Sequence, residues 1–353
     1  MTTFALSVDL GGTNLRIAAV DSDGKTLEKI TTSTAVARGR DVVIDEMCTA
    51  IQQVAGHWSS VGELAGIGIG VPGIIEMETG MLRESPNLPG WHNYPVRDEI
   101  ERRLRTTVIL ENDANVAALG EKWQGAAANV DDMCMLTLGT GVGGGIVMEG
   151  RIWHGMTGMA GELGHINVEP DGPPCKCGSH GCLEQLASAT AVKRMALEAV
   201  TAGKAPELAN AMKDDPEFSS KVVYDLAMQG VPSAQEIFRK VGKALGTVIA
   251  DLVNIFNFPM YVIGGGVASA WDAFAPTMMA TVRCNSFVYR ATAPTESAPE
   301  GNLRRDVVGA TVITRALLGG DAGLIGAARL PMIATESRAA QADPETLDRM
   351  QWS

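Results

Sequence analysis

Two stretches decide the fold: Val8-Asp9-Leu10-Gly11-Gly12-Thr13-Asn14-Leu15-Arg16-Ile17-Ala18, and Leu136-Thr137-Leu138-Gly139-Thr140-Gly141-Val142-Gly143-Gly144-Gly145-Ile146-Val147. Each reads as an apolar strand, a tight glycine turn and a returning strand. Between and after them the chain alternates strands with helical patterns, and no low-complexity linker divides it. Such a repeat predicts a duplicated α/β core.

Working outward, Lys25–Thr32 reads as a third strand after the turn at 21–24. The apolar positions Val42, Val43, Met47, Ile51 and Val54 mark one face of a helix over 41–54. Strands follow at 64–71 and 107–111, then a helix over 112–124. Beyond the second hairpin come a loop-rich stretch from Gly150 to Cys182 and helical patterns over 184–229, with a polar piece at 204–220 that reads as an insertion. Ser233-Ala-Gln-Glu236 predicts a capping box opening a long helix that Pro259 stops. Met260–Ile263 is a strand feeding Gly264-Gly265-Gly266, and the polar tail from Pro331 predicts a frayed helix or disorder.

The chain has 353 residues, 46% hydrophobic and 20% charged, the composition of a soluble globular protein. A formal net charge of −12 argues against duplex DNA or an anionic membrane as partner, since both need a basic surface. No apolar run approaches the ~20 residues of a membrane span. The start carries no basic stretch and meets Asp9 early, so a cytoplasmic protein without a signal peptide is expected.

Dinucleotide folds fail on context. Gly139-Thr-Gly141-Val-Gly-Gly144 and Gly68-Ile-Gly70-Val-Pro-Gly73 match G-x-G-x-x-G by spacing, but a strand pattern or a proline follows where a helix must open. Gly24-Lys25-Thr26 resembles the end of a P-loop, yet Ala19 stands where its first glycine belongs. What remains is a phosphate grip built from hairpins. Gly11 and Gly12 free backbone amides for a phosphate, Thr13 adds a hydroxyl, and Asp9 is placed to hold Mg²⁺ through water. Gly139, Thr140 and Gly141 supply the equivalent turn. Gly264, Gly265 and Gly266 leave room for an adenosine against backbone.

Glu111-Asn112-Asp113 stands where a strand becomes a helix, so Asp113 falls near the N-cap, ionised and fixed in direction. Phosphoryl transfer to an alcohol asks for positioning, Mg²⁺ and one carboxylate to take the proton. Asp113 fits that role, and Asn112 suits a sugar hydroxyl because it both donates and accepts. His165 precedes Cys175-Lys-Cys177-Gly-Ser-His-Gly-Cys182, and three thiolates with one imidazole are the donors of a structural Cys3His zinc site. His180 is an alternative fourth ligand, and free thiols or a redox pair are the competing readings. Glu162 and Glu184 flank this loop and are candidate ligand-binding carboxylates.

In this order, the pieces resemble the ROK family (repressor, open reading frame, kinase). The likeness runs from Asp9 to about Ala328. It rests on Asp9-Leu-Gly-Gly-Thr13, Gly70-Val-Pro-Gly73, Glu111-Asn-Asp-Ala-Asn115, Leu138–Gly144, Glu162-Leu-Gly-His165, the cysteine cluster, Gly264-Gly-Gly266 and Asp321–Gly326. The resemblance implies a two-lobed actin-like/sugar-kinase/Hsp70-type ATPase fold, each lobe a mixed β-sheet flanked by helices with a cleft between. Residues 1–112 with about 319–353 would form the small lobe, and 113–318 the large lobe carrying the zinc loop. It further implies ATP with Mg²⁺, structural Zn²⁺ and a homodimer.

Carried over by motif, Asp113 is the base for a sugar 6-hydroxyl. Asn87, Asn112, Glu162, His165, Glu184 and the backbone at Gly73 bind the sugar, and Thr13, Thr140 and Gly265 line ATP. His165 would use its other nitrogen on zinc. The first strand begins at Phe4, so no helix-turn-helix is expected before it and a kinase is favoured over a repressor. Ser85-Pro-Asn-Leu-Pro-Gly-Trp91 and Cys182-Leu-Glu184 look most like bacterial glucokinases. N-acetylmannosamine, N-acetylglucosamine, fructose or allose kinases share the core, polyphosphate remains an alternative donor, and a non-catalytic sugar sensor is the rival class.

Overall fold

A computed structural model describes residues 2–85, 87–215, 217–294 and 309–342. The chain forms two compact units, Met1–Ala128 with Arg151–Ala160 and Gly320–Ser353, and Asn129–Gly150 with Gly161–Gly319. The elements run β1 (Thr2–Leu10), β2 (Asn14–Asp21), β3 (Thr26–Ser33), α1 (Arg40–Trp58), β4 (Gly62–Val71), β5 (Ile74–Glu76), β6 (Met81–Glu84), α2 (Val96–Leu104), β7 (Ile109–Asn112) and α3 (Asp113–Gln124). Then come β8 (Met133–Leu138), β9 (Val142–Met148), β10 (Arg151–Ile152), α4 (Glu184–Ala187), α5 (Ala189–Thr201), α6 (Pro206–Asp214), α7 (Ser220–Met228) and α8 (Pro232–Phe256). The chain closes with β11 (Met260–Gly264), α9 (Trp271–Asn285), α10 (Phe287–Thr292), β12 (Val312–Arg315) and α11 (Ala322–Ala342).

In the first unit the sheet order is β3-β2-β1-β4-β7, with β1 antiparallel to β2 and parallel to β4. Side chains alternate along β1 as the pleat requires. Phe4, Leu6, Val8 and Leu10 join the core formed with Val43, Ile44, Met47, Ile51 and Val54 of α1. The small Ala5 and Ser7, with Asp9, point to the opposite face, where Gly323 of α11 lies against the Asp9 carboxylate. There helix and sheet approach through glycine: a Cβ at Gly68 of β4 would overlap the Ala327 carbonyl. Helices α3 and α11 meet the same way, Gly120 against Ala322 and Gly326 against Val116. That packing holds α3 in the first unit, where the sequence reading had placed residue 113 onward in the other lobe.

The second unit repeats the plan in the order β9-β8-β11-β12, antiparallel and then parallel. Cys134, Leu136, Leu138, Tyr261 and Ile263 face α8, whose Val241, Leu245, Val248 and Leu252 complete the core. The predicted duplicated actin-like architecture is the one observed, as two mixed sheets flanked by helices.

Local expectations fared unevenly. The capping box at Ser233 does not form. Pro232 opens α8 two residues earlier, the N-cap is Val231, and Glu236 pairs with Arg239 instead. The polar piece at 204–220 is built into the core through Leu208 and Phe218 rather than hanging off it. Nor does the chain fray at Pro331, because α11 passes through that residue to Ala342. Proline costs one backbone donor there, but Pro331 packs on Gly66 of β4 and the helix is held laterally. The remainder of the predicted tail, from 343 on, lies outside the described residues.

Candidate active site

Strand β7 ends in the residues singled out for chemistry. Asn112 is the N-cap of α3, its Oδ1 accepting from Ala114 N (2.9 Å) and Asn115 N (3.2 Å). Its Nδ2 donates to the Gly73 carbonyl at 3.1 Å, so the cap is tied to the turn after β4. Asp113 is the first helical residue, and its Oδ1 accepts from Ala114 N at 2.9 Å. A carboxylate in the first turn sits at the positive end of the helix dipole.

The first hairpin turn lies in the same unit. Asp9 is nearly buried, and the β1–β2 register places Arg16 directly across from it, with Arg16 Nη2 bonded to its Oδ2. Burial pushes the Asp9 carboxyl above the usual carboxylate range, with Arg16 opposing and Asp321 adding to the rise. The second Arg16 nitrogen donates to the Gly320 carbonyl. Gly11 N donates to Asn14 O at 2.9 Å, closing the turn and leaving Thr13 exposed. Gly12 touches the expected sugar-side loop: a Cβ there would stand 2.8 Å from the Asn87 carbonyl oxygen.

In the second unit, Gly139 N donates to Gly141 O at 2.9 Å and Thr140 is exposed. The turn is braced by the start of α5, where Ala189 N donates to Gly139 O (2.9 Å) and Thr190 Oγ1 to Thr140 O (2.7 Å). Glu184 Oε2 accepts from Val142 N at 3.1 Å and fills the space a Cβ at Gly141 would need. Gly264 ends β11, and Gly265 lies against the backbone of Leu138, beside that same turn.

The cysteines converge. His165, Cys175, Cys177 and Cys182 offer ligand atoms that all lie within 4.8 Å of one another. Three soft sulfurs and an imidazole nitrogen at that spacing are a donor set for one tetrahedral metal ion. His165, not His180, completes the set. Nδ1 of His165 faces Cys175 Sγ at 3.7 Å, and its Nε2 faces Glu162 Oε2 at 3.9 Å. Gly181 is required here, since it has φ +58° and a Cβ would overlap the Glu169 carbonyl. The half-exposed Glu162 carboxyl is raised by desolvation, opposed by His165 and supported by the charge of Glu184.

Two residues were not found by sequence reasoning. Arg16 was recoverable, because counting the hairpin register back from the Gly11-Gly12 turn sets it opposite Asp9. His154 gave no local signal, yet its Nε2 lies 2.6 Å from Glu111 Oε2.

The ROK family profile matches residues 5–332. The glucokinase of Halalkalibacterium halodurans is 42% identical over 269 residues, covering 76% of this chain and 81% of that one. A ROK glucokinase from Streptomyces griseus, solved in complex with glucose and AMPPNP, superposes with a TM-score of 0.73 at 32% identity, over 93% of this chain and 98% of that chain. The ROK hexokinase of Thermus thermophilus superposes at 0.76 with 29% identity, over 95% and 99%. No helix among the described residues is long and apolar enough to cross a membrane. On the extent of the profile match and the order of the motifs, this chain belongs to the ROK family.

Proposed function

We propose that the protein is a glucokinase, a cytoplasmic homodimer that transfers the γ-phosphoryl group of ATP to the 6-hydroxyl of glucose. The observation that carries this reading is Asp113 in the first turn of α3, aimed by the Asn112 cap. The likeness to glucokinases supports the same choice of sugar.

Asp113 accepts the proton of the 6-hydroxyl as that oxygen bonds to the γ-phosphorus, and the bond to the ADP oxygen breaks. Asp9 would hold the Mg²⁺ that accompanies the nucleotide, and that ion would supply the positive charge that phosphoryl transfer needs. Gly11, Gly12 and Thr13 from one turn, with Gly139, Thr140 and Gly141 from the other, offer amides and hydroxyls to the phosphates. Gly264–Gly266 leave space for the adenosine. Asn87, Asn112, Glu162, His165, Glu184 and the Gly73 backbone take the remaining sugar hydroxyls. His165 Nδ1 faces the thiols and Nε2 faces away from them, which suits one histidine serving both the metal and the sugar. Zinc in the Cys3His cluster would hold the 165–182 loop rigid.

The test is ADP release with MgATP across glucose, mannose, fructose, glucosamine and the N-acetyl hexosamines. Glucose should be strongly preferred. Asp113→Asn should bind glucose and lose about 10²–10⁴ in turnover, the range for removal of a general base. Preference for an N-acetyl sugar would replace the substrate and keep the kinase. No turnover by zinc-replete protein would sink the kinase and promote a sugar sensor.

A further inference from the structure

Glu111 immediately precedes Asn112-Asp113, and the reaction above makes no use of it. Its side chain is 2% exposed, and a buried carboxylate persists only where its oxygens are bonded and its charge is met. Oε1 accepts from Asn112 N and from Asn115 Nδ2, both at 2.9 Å. Oε2 accepts from His154 Nε2 at 2.6 Å, the short distance of a charge-assisted bond. The carboxylate therefore grips the N-cap residue of α3 by its backbone and a first-turn residue by its side chain. This bond holds the Asn115 amide, whose own Oδ1 is buried with no hydrogen-bond partner among the described residues.

His154 is itself delivered by a closed loop. Its carbonyl accepts from Ala160 N at 3.2 Å. Gly158, at φ +88°, lies so close to the β5 end that a Cβ would stand 2.6 Å from Met77 Cγ. The imidazole thus comes from a segment 43 residues down the chain and meets the carboxylate from a fixed direction.

We propose that His154 is a positioning residue, which fixes Glu111 and through it the Asn112 cap and the first turn of α3 that aims Asp113. Its effect on rate rests on the kinase reading; its effect on the helix start does not. His154 touches neither sugar nor nucleotide in this scheme. Asn112 is one of several proposed sugar ligands whereas Asp113 is the one proposed base, so loss of His154 should weaken turnover more than sugar binding.

The experiment compares wild type with His154→Leu, which removes the donor, and His154→Gln, whose amide nitrogen can stand where Nε2 stands. In His154→Leu, kcat should fall about tenfold while KM for glucose stays within about twofold. His154→Gln should recover most of the loss. Hydrogen exchange at the Asn112, Ala114 and Asn115 amides should quicken in the Leu variant and return toward wild type with Gln. If His154→Leu does not fold, His154→Asn, too short to reach Oε2, takes its place with the same expectations. Unchanged kcat and exchange on removing the donor would overturn the proposal. So would a Gln variant no better than Leu, which leaves a plain structural contact. If wild type phosphorylates no sugar, the kinase reading fails separately, and amide exchange alone decides whether His154 positions the helix start.

Discussion

The two glycine hairpins share a plan and differ in what they hold. In the first, Leu10 faces Leu15 and the next pair outward is Asp9 with Arg16, a part-buried ion pair. In the second, Leu138 faces Val142 and the next pair is Thr137 with Gly143, which carries no charge. Each turn also has one glycine against a proposed sugar ligand, Gly12 on the Asn87 backbone and Gly141 on the Glu184 carboxylate. Duplication supplied two equivalent turns, and only one of them was given charge. On the proposed reading the first would manage a metal-bound phosphate; the second is braced from behind by α5 and would contribute shape.

The sharpest way to break this asymmetry is at the charged pair. Asp9→Asn should lower MgATP-dependent turnover about 100-fold or more, since it removes the carboxylate proposed for the metal. Thr137→Val should change it by less than about threefold, the size of a neutral hydroxyl effect. Comparable losses at both sites would show that the hairpins are functionally equivalent.

Metal removal tests the second unit in turn. A strong chelator should lower the melting temperature by about 3–4 °C, what ~2–3 kcal/mol produces in a protein of this size. Amide protection should fall around Val142 and Leu163 and persist along β1 and β2. Uniform loss in both units would deny the metal a local role.

A smaller contrast lies in the turn glycines. Gly12→Ala must shift backbone at Asn87, so KM for glucose should rise about tenfold, whereas Gly141→Ala need only swing the Glu184 side chain and should cost about threefold. The reverse order would mean that Glu184 is the stiffer ligand.

The least effect is expected from pH. The Glu111 carboxylate raises the His154 pKa above its ordinary value, with burial opposing. The pair therefore stabilises fully below about pH 6.5 and loses that contribution as pH rises through the higher folded-state value. The melting temperature of wild type, relative to His154→Gln, should be greater near pH 6 than near pH 9. A constant difference would mean the imidazole does not change charge there.

What could be read in advance was what repeats or clusters locally. Both hairpins, the Asn112-Asp113 helix start and the Cys175–Cys182 loop carry their signals within a dozen residues. The glycines of β4 were readable only as a failed nucleotide motif. The reason for Gly68, room for the Ala327 carbonyl of α11, lies more than 250 residues away, and Gly70 makes room for Val116 of α3. Helix α9 was missed because Pro276 interrupts its pattern, although Phe274, Met278 and Val282 are buried in the second core. The Ser233 box was misread because Pro232, favoured in a first turn, took the start of the helix. His154 could not be found from sequence because Glu111 and His154 are each unremarkable until the loop carries one to the other.

Helix α11 has a consequence for how the chain acquires its structure. It packs on β1, β4 and α3, all made within the first 124 residues. On the ribosome, those strands emerge early and wait for a partner that is synthesised near the end. Their glycine-lined face, Gly66 and Gly68 included, stays uncovered through the synthesis of the second unit. The second unit draws its sheet and long helices from 133–315 alone and has its parts in hand sooner. The order of completion therefore opposes the order of synthesis: the unit begun first is completed after the second.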